Sequence, residues 1–107
     1  VERVSLIIFG YNESAVSSAN ERILNYISSR IRENSVVRVD GYTDRSGDDE
    51  YNRKLSQRRA EAIAKRLGVP RERIQGHGSD EQLYPNDLPE GRLYCRTVRV
   101  TVETPTP

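Results

Sequence analysis

The stretch Gly41-Tyr42-Thr43-Asp44-Arg45-Ser46-Gly47-Asp48-Asp49-Glu50-Tyr51-Asn52-Arg53-Lys54-Leu55-Ser56-Gln57-Arg58-Arg59 decides how this chain folds. It leaves a β-branched run, Val36, Val37 and Val39, that reads as a strand. It crosses a polar loop from Asp44 to Glu50 and ends well inside a helix. Asp48, Asp49 and Glu50 stand where a helix N-terminus favours negative charge. Leu55, Ala62, Ile63 and Leu67 mark the expected buried stripe of that helix. Gly68 is its expected C′ residue, and Pro70 stops any continuation.

Working outward, Val4 to Phe9, apolar apart from Ser5, reads as a first strand. Ser18 stands three residues before Glu21, the spacing of a capping box. Ile23, Leu24, Ile27 and Ile31 then recur at helical spacing, so a first helix is expected from Ser17 to Glu33, closed by Asn34-Ser35. Arg73 to Gly76 reads as a short third strand, and the segment from Gly76 to Gly91 is rich in turn residues. Arg96 to Glu103 alternates, with Val98, Val100 and Val102 on one face, and reads as the last strand. There is no internal repeat. The order β-α-β-α-β-β predicts an α+β fold of two layers, the helices packed on one face of a mixed sheet. Residues 1–103 are expected to form the domain, and 104–107 a linker or tail.

Length and composition bound the function. A chain of 107 residues is one small domain. Its 17 basic and 16 acidic residues leave a formal net charge of +1, without the basic excess or stripe that nucleic-acid binding uses. The basic set is lopsided, with 15 Arg against 2 Lys, a bias that suits bidentate recognition of carboxylates. The basic side chains of helix two, Arg53, Lys54, Arg58, Arg59, Lys65 and Arg66, are largely cancelled by Asp48, Asp49, Glu50 and Glu61. No apolar run approaches the ~20 residues that span a bilayer as a helix. No signal peptide stands at Val1, and a start without Met is expected of a mature product or an excised domain.

Cys95 is the single cysteine, so no intramolecular disulfide forms, and one Cys with one His does not make a zinc site. On paper Cys95 and His77 make a nucleophilic pair, but no third orienting residue follows from the spacing. In an oxidising compartment Cys95 would link two chains into a homodimer. Asp44, Asp48 and Glu50 resemble a calcium loop only superficially, because Leu55 stands where the ligating Glu belongs. Tyr42, Tyr51, Tyr84 and Tyr94 suit either the core or stacking on a ligand. No metal, cofactor or catalytic residue is expected.

One arrangement does carry chemistry. Asn52, Leu55 and Arg59 share a helix face, and Asp44 leaves the strand before that helix. If the helix packs back on the strand, Asp44 and Arg59 form an acid and a base near one pocket. Such a pair grips a zwitterion: the carboxylate takes an ammonium, the guanidinium a carboxylate. Taken alone, Asp44 in such a loop is more often a turn residue, and Arg59 reads equally as a solvated helix residue or one half of a structural ion pair.

The residues Gly41-Tyr42-Thr43-Asp44, Gly47, Asn52, Leu55-Ser56, Arg59-Ala60, Pro89-Glu90-Gly91-Arg92 and Arg96 resemble the OmpA-like peptidoglycan-binding domain. This is the family of OmpA, the peptidoglycan-associated lipoprotein and MotB. The resemblance runs from about Leu6 to Thr101. It implies a non-enzymatic module that holds the diaminopimelate of a peptidoglycan stem peptide and anchors an envelope protein to the cell wall. Asp44 would meet the amino group and Arg59 the carboxylate. Thr43 and Asn52 match positions lining the same pocket, and Arg96 would contact the ligand from the other side. It also implies a periplasmic location, with attachment to a membrane through a larger parent protein. The chain departs from the family pattern at Gly10, where an acidic residue is frequent, at Cys95 for an Asn, and at Thr97 for a second Arg. These departures support the alternative of a scaffold or protein-interaction domain that keeps the fold without the ligand.

Overall fold

The computed structural model describes residues 2–9, 15–43, 48–78 and 96–105, the side chain of Leu6 excepted. The elements run β1 (Glu2–Ile8), α1 (Ser18–Arg30), β2 (Val36–Gly41), α2 (Asp49–Leu67), a 3-10 turn (Arg71–Arg73), β3 (Ile74–Gly76) and β4 (Thr97–Glu103). The strands form one sheet in the order β1-β4-β2-β3. Strand β4 is antiparallel to both its neighbours, placing Val98 between Ile7 and Gly41, and Val100 between Ser5 and Val39. Strands β2 and β3 are parallel and joined through α2. The sheet is therefore mixed, as the element order predicts.

One face of the sheet carries the core. Ile7, Phe9, Val37, Val39, Val98, Val100 and Val102 pack against Leu24 and Ile27 of α1 and Ala60, Ile63 and Ala64 of α2. The buried valines alternate along β4 as the sequence requires. Thr97 and Thr101, on the opposite face, are buried as well. A central strand has neighbours on both edges, which accounts for its small β-branched residues on both faces.

Three details differ from expectation. The cap of α1 is Ser17, whose Oγ accepts from the backbone N–H of Asn20 at 3.1 Å, so the Ser18/Glu21 capping box does not form. Glu21 instead pairs with Arg66 of α2, joining the two helices. Helix α1 ends at Arg30 rather than Glu33, because Ile31 turns extended (ψ 129°) and packs on the core. The buried face of α2 comprises Asn52, Leu55, Ser56, Arg59, Ala60, Ile63 and Ala64, while Ala62 and Leu67 are only half-buried. Polar residues turned inward at Asn52, Ser56 and Arg59 set that face, so an apolar-only pattern misplaces it. The helix closes as expected on Gly68, at φ 69°, a left-handed position that favours glycine. Beyond β4, Thr104 Oγ1 lies 2.6 Å from Ser35 Oγ.

Candidate ligand-binding site

The site is built at the end of the sheet where β2 and β4 meet the first half of α2. Asp48 caps α2 by accepting from the backbone N–H of Tyr51 at 2.9 Å. Asn52, Leu55, Ser56 and Arg59 follow on one helix face, all buried. Strand β2 ends at Gly41, and the helix lies directly on it. A Cβ at Gly41 would stand 2.2 Å from the carbonyl oxygen of Ser56 and 3.3 Å from Ala60 Cβ. Only glycine permits that approach, which brings Arg59 beneath the residues that continue β2.

Arg59 is 1% exposed. Its Nη1 donates to the carbonyl oxygen of Tyr42 at 3.5 Å, and its guanidinium carbon lies 5.3 Å from the centre of the Phe9 ring. A guanidinium out of water is costly unless acceptors and π faces replace its hydration. Thr43 is 3% exposed, with its backbone N–H donating to the carbonyl of Gly78 at 2.9 Å. Asn52 is 4% exposed. Phe9 donates its N–H to the carbonyl of Arg96, and Tyr42 donates to that of Thr97, both at 2.8 Å. Thus Arg59 is brought against Tyr42, next in the chain to Thr43, while Arg96 enters β4 beside Phe9 with its side chain half-buried. Asp44 lies outside the described residues, as do Gly10, Gly47, Cys95 and the segment 89–92.

Two participants escape sequence reasoning. Phe9 is legible only as the end of a strand, yet in the structure it follows β1 directly, faces the helix side and supplies the ring over which Arg59 sits. Tyr42 works in two directions. Its carbonyl meets Arg59, while its ring stacks on His77 with centroids 4.8 Å apart and planes 11° from parallel. Arg99 lies 5.4 Å from the same ring and donates from Nη2 to the Tyr42 hydroxyl at 2.8 Å. His77 Nε2 is 2.9 Å from Asp40 Oδ1, and its backbone N–H donates to the Gly41 carbonyl. His77 is therefore engaged in fixing Tyr42. The pairs Asp40–Arg99 and Asp40–Gln75 in the sheet register show why these residues share the face away from the helices. Among the described residues no group of three or more His, Cys, Asp or Glu could hold a metal, and no helix is long and apolar enough to cross a membrane.

Known proteins resemble this chain in sequence and in fold. The model of the OmpA family matches residues 8–96. The chain is 32% identical over 105 residues to the outer-membrane lipoprotein YfiB of Pseudomonas aeruginosa, covering 92% of this chain and 62% of that protein. It is also 32% identical over 111 residues to photosystem I P700 chlorophyll a apoprotein A2 of Gloeobacter violaceus, covering 92% of this chain but 13% of that one. The chain thus spans less than two thirds of these curated relatives. Among solved structures, the cell wall anchor of the T6SS from Pseudomonas aeruginosa superposes with a TM-score of 0.80 at 28% identity, covering 97% of this chain and 82% of that one.

Proposed function

The chain belongs to the OmpA family, and on that premise we propose that it binds cell-wall peptidoglycan non-covalently through the diaminopimelate of the stem peptide. The observation that carries this reading is the Arg59 guanidinium, held out of solvent between the Tyr42 carbonyl and the Phe9 ring at the end of the sheet. A guanidinium fixed in this way is pre-organised for a carboxylate. Asp44, next after Thr43 in the chain, takes the ammonium of the same zwitterion. Thr43 and Asn52 line the pocket, and Arg96 closes it from the β4 side. Each charge-assisted hydrogen bond contributes about 1.5–3 kcal/mol, so a few of them sustain micromolar-scale binding after entropic costs.

The module anchors rather than catalyses. The T6SS relative is itself a cell wall anchor, and the YfiB relative is an outer-membrane lipoprotein. By the same logic residues 1–103 act in the periplasm as the wall-binding domain of a larger membrane-attached protein. One observation favours a second reading, a scaffold without the ligand. Thr97, where the family carries an arginine, is fully buried, and its Oγ1 has no hydrogen-bond partner among the described residues.

Co-sedimentation with purified cell-wall sacculi separates the two. Diaminopimelate-type sacculi should pull the chain down and lysine-type sacculi should not, because a lysine stem lacks the second carboxylate. Equal retention on both would refute the diaminopimelate mechanism. Retention on neither would favour the scaffold.

A further inference from the structure

Among the described residues β1 is an edge strand, paired only with β4. The Phe9 N–H donates to the Arg96 carbonyl, toward β4. Hydrogen bonding alternates along an antiparallel ladder. Arg3, Ser5 and Ile7 therefore direct their backbone groups to β4, and Val4 and Leu6 direct theirs outward; the outward carbonyl of Ile8 accepts from Asn20 Nδ2 at 3.2 Å, so the open stretch ends before Ile8. Outward N–H and C=O groups on an edge form a template for another strand. A groove of about 320 Å³ runs beside this edge, lined by Arg3, Val4, Ser5, Tyr26, Ile27 and Arg30 among others, with no carboxylate in its lining. Val4 is 52% and Tyr26 53% exposed, one on each side of this edge. The Arg30 guanidinium lies 5.1 Å from the Tyr26 ring centre.

We propose that the β1 edge and this groove bind an extended acidic segment of a partner protein as an added strand. Residues directly opposite each other in a sheet share a face. In the added strand, the residues opposite Arg3 and Ser5 thus face the helix layer and the groove. Glutamates there lay their stems on Tyr26 and Ile27 and bring their carboxylates to Arg3 and Arg30. The alternate residues cover Val4 on the other face, where β-branched side chains fit. A second copy of the chain suits the surface less well. Pairing β1 with itself offers the groove Arg3, Ser5 and Ile7, which carry no carboxylate. The six strand steps from Arg3 to Phe9 place Arg3 about 20 Å from the Arg59 site, so the two are independent.

The test is an NMR titration of the whole chain with a heptapeptide alternating valine and glutamate, and with its lysine counterpart. The glutamate peptide should shift and protect the backbone amides of Val4 and Leu6 and bind at least about tenfold more tightly than the lysine peptide. Combining Arg3→Glu with Arg30→Glu should reverse that preference. Val4→Pro removes an outward N–H at an edge that tolerates proline. It should abolish peptide binding while leaving the β2 and β4 amide shifts unchanged. Equal binding of both peptides would overturn the proposal. So would native-like binding by Val4→Pro, or unmoved β1 amides at millimolar peptide, the result expected if Arg3 merely guards the edge.

Discussion

The guanidinium of Arg59 donates to the main-chain carbonyl of Tyr42, a residue 17 positions earlier in the chain, and is itself 1% exposed. The contact exists because Gly41 lets α2 rest on the end of β2, and it couples helix, strand and site in one step. Each of the following expectations isolates one part of that coupling.

Gly41→Ala should damage both fold and site. The new methyl would stand 2.2 Å from the Ser56 carbonyl oxygen, so α2 must move away and carry Arg59 with it. Overpacking of this kind costs about 1–3 kcal/mol. Chemical denaturation should show that loss, and peptidoglycan binding should weaken beyond it.

Gly68→Ala is the contrasting case. A Cβ there meets nothing within 4 Å, and the only penalty is the left-handed backbone at φ 69°. The expected loss is about 1 kcal/mol of stability, with ligand affinity unchanged. A parallel loss of affinity would mean that the helix end communicates with the pocket.

Asp48→Ala removes the N-cap of α2 and its 2.9 Å bond to Tyr51 N. Loss of such a cap costs about 0.5–2 kcal/mol. Denaturation midpoints should fall accordingly. Asp48→Asn, which keeps an acceptor oxygen, should recover most of the difference.

Tyr42→Phe separates the two roles of Tyr42. It removes the 2.8 Å bond from Arg99 but keeps the ring on His77 and the carbonyl at Arg59. Stability should drop by about 0.5–1.5 kcal/mol, and binding should not change. A large loss of binding would place the hydroxyl, rather than the carbonyl, in the site.

Much of this architecture is legible in the sequence, and the reasons are local. Alternation in β4, the β-branched run of β2 and the Gly68-Val69-Pro70 stop are each governed by neighbours in the chain. The helix face shared by Asn52, Leu55 and Arg59 follows from spacing alone. What escapes depends on distant partners. Glu21 takes no part in a capping box because Ser17, not Ser18, caps α1, and it pairs with Arg66 on the other helix. Ile31 abandons α1 because the core offers more burial than another helical turn. Phe9 joins the site only because Arg59 arrives from α2. The stacking of Tyr42 on His77 likewise needs the parallel pairing of β2 and β3, which no short-range pattern encodes.

The most direct test of the peptidoglycan reading is calorimetric titration of a diaminopimelate stem peptide against the native chain and against Arg59→Lys. Lysine keeps the charge but loses the planar fork that pairs with a carboxylate. The account predicts micromolar-scale binding by the native chain and a loss of at least about 1.5 kcal/mol in the variant, with the fold confirmed by unchanged amide shifts in β1 and β4. Native-like affinity in a folded Arg59→Lys variant would contradict it.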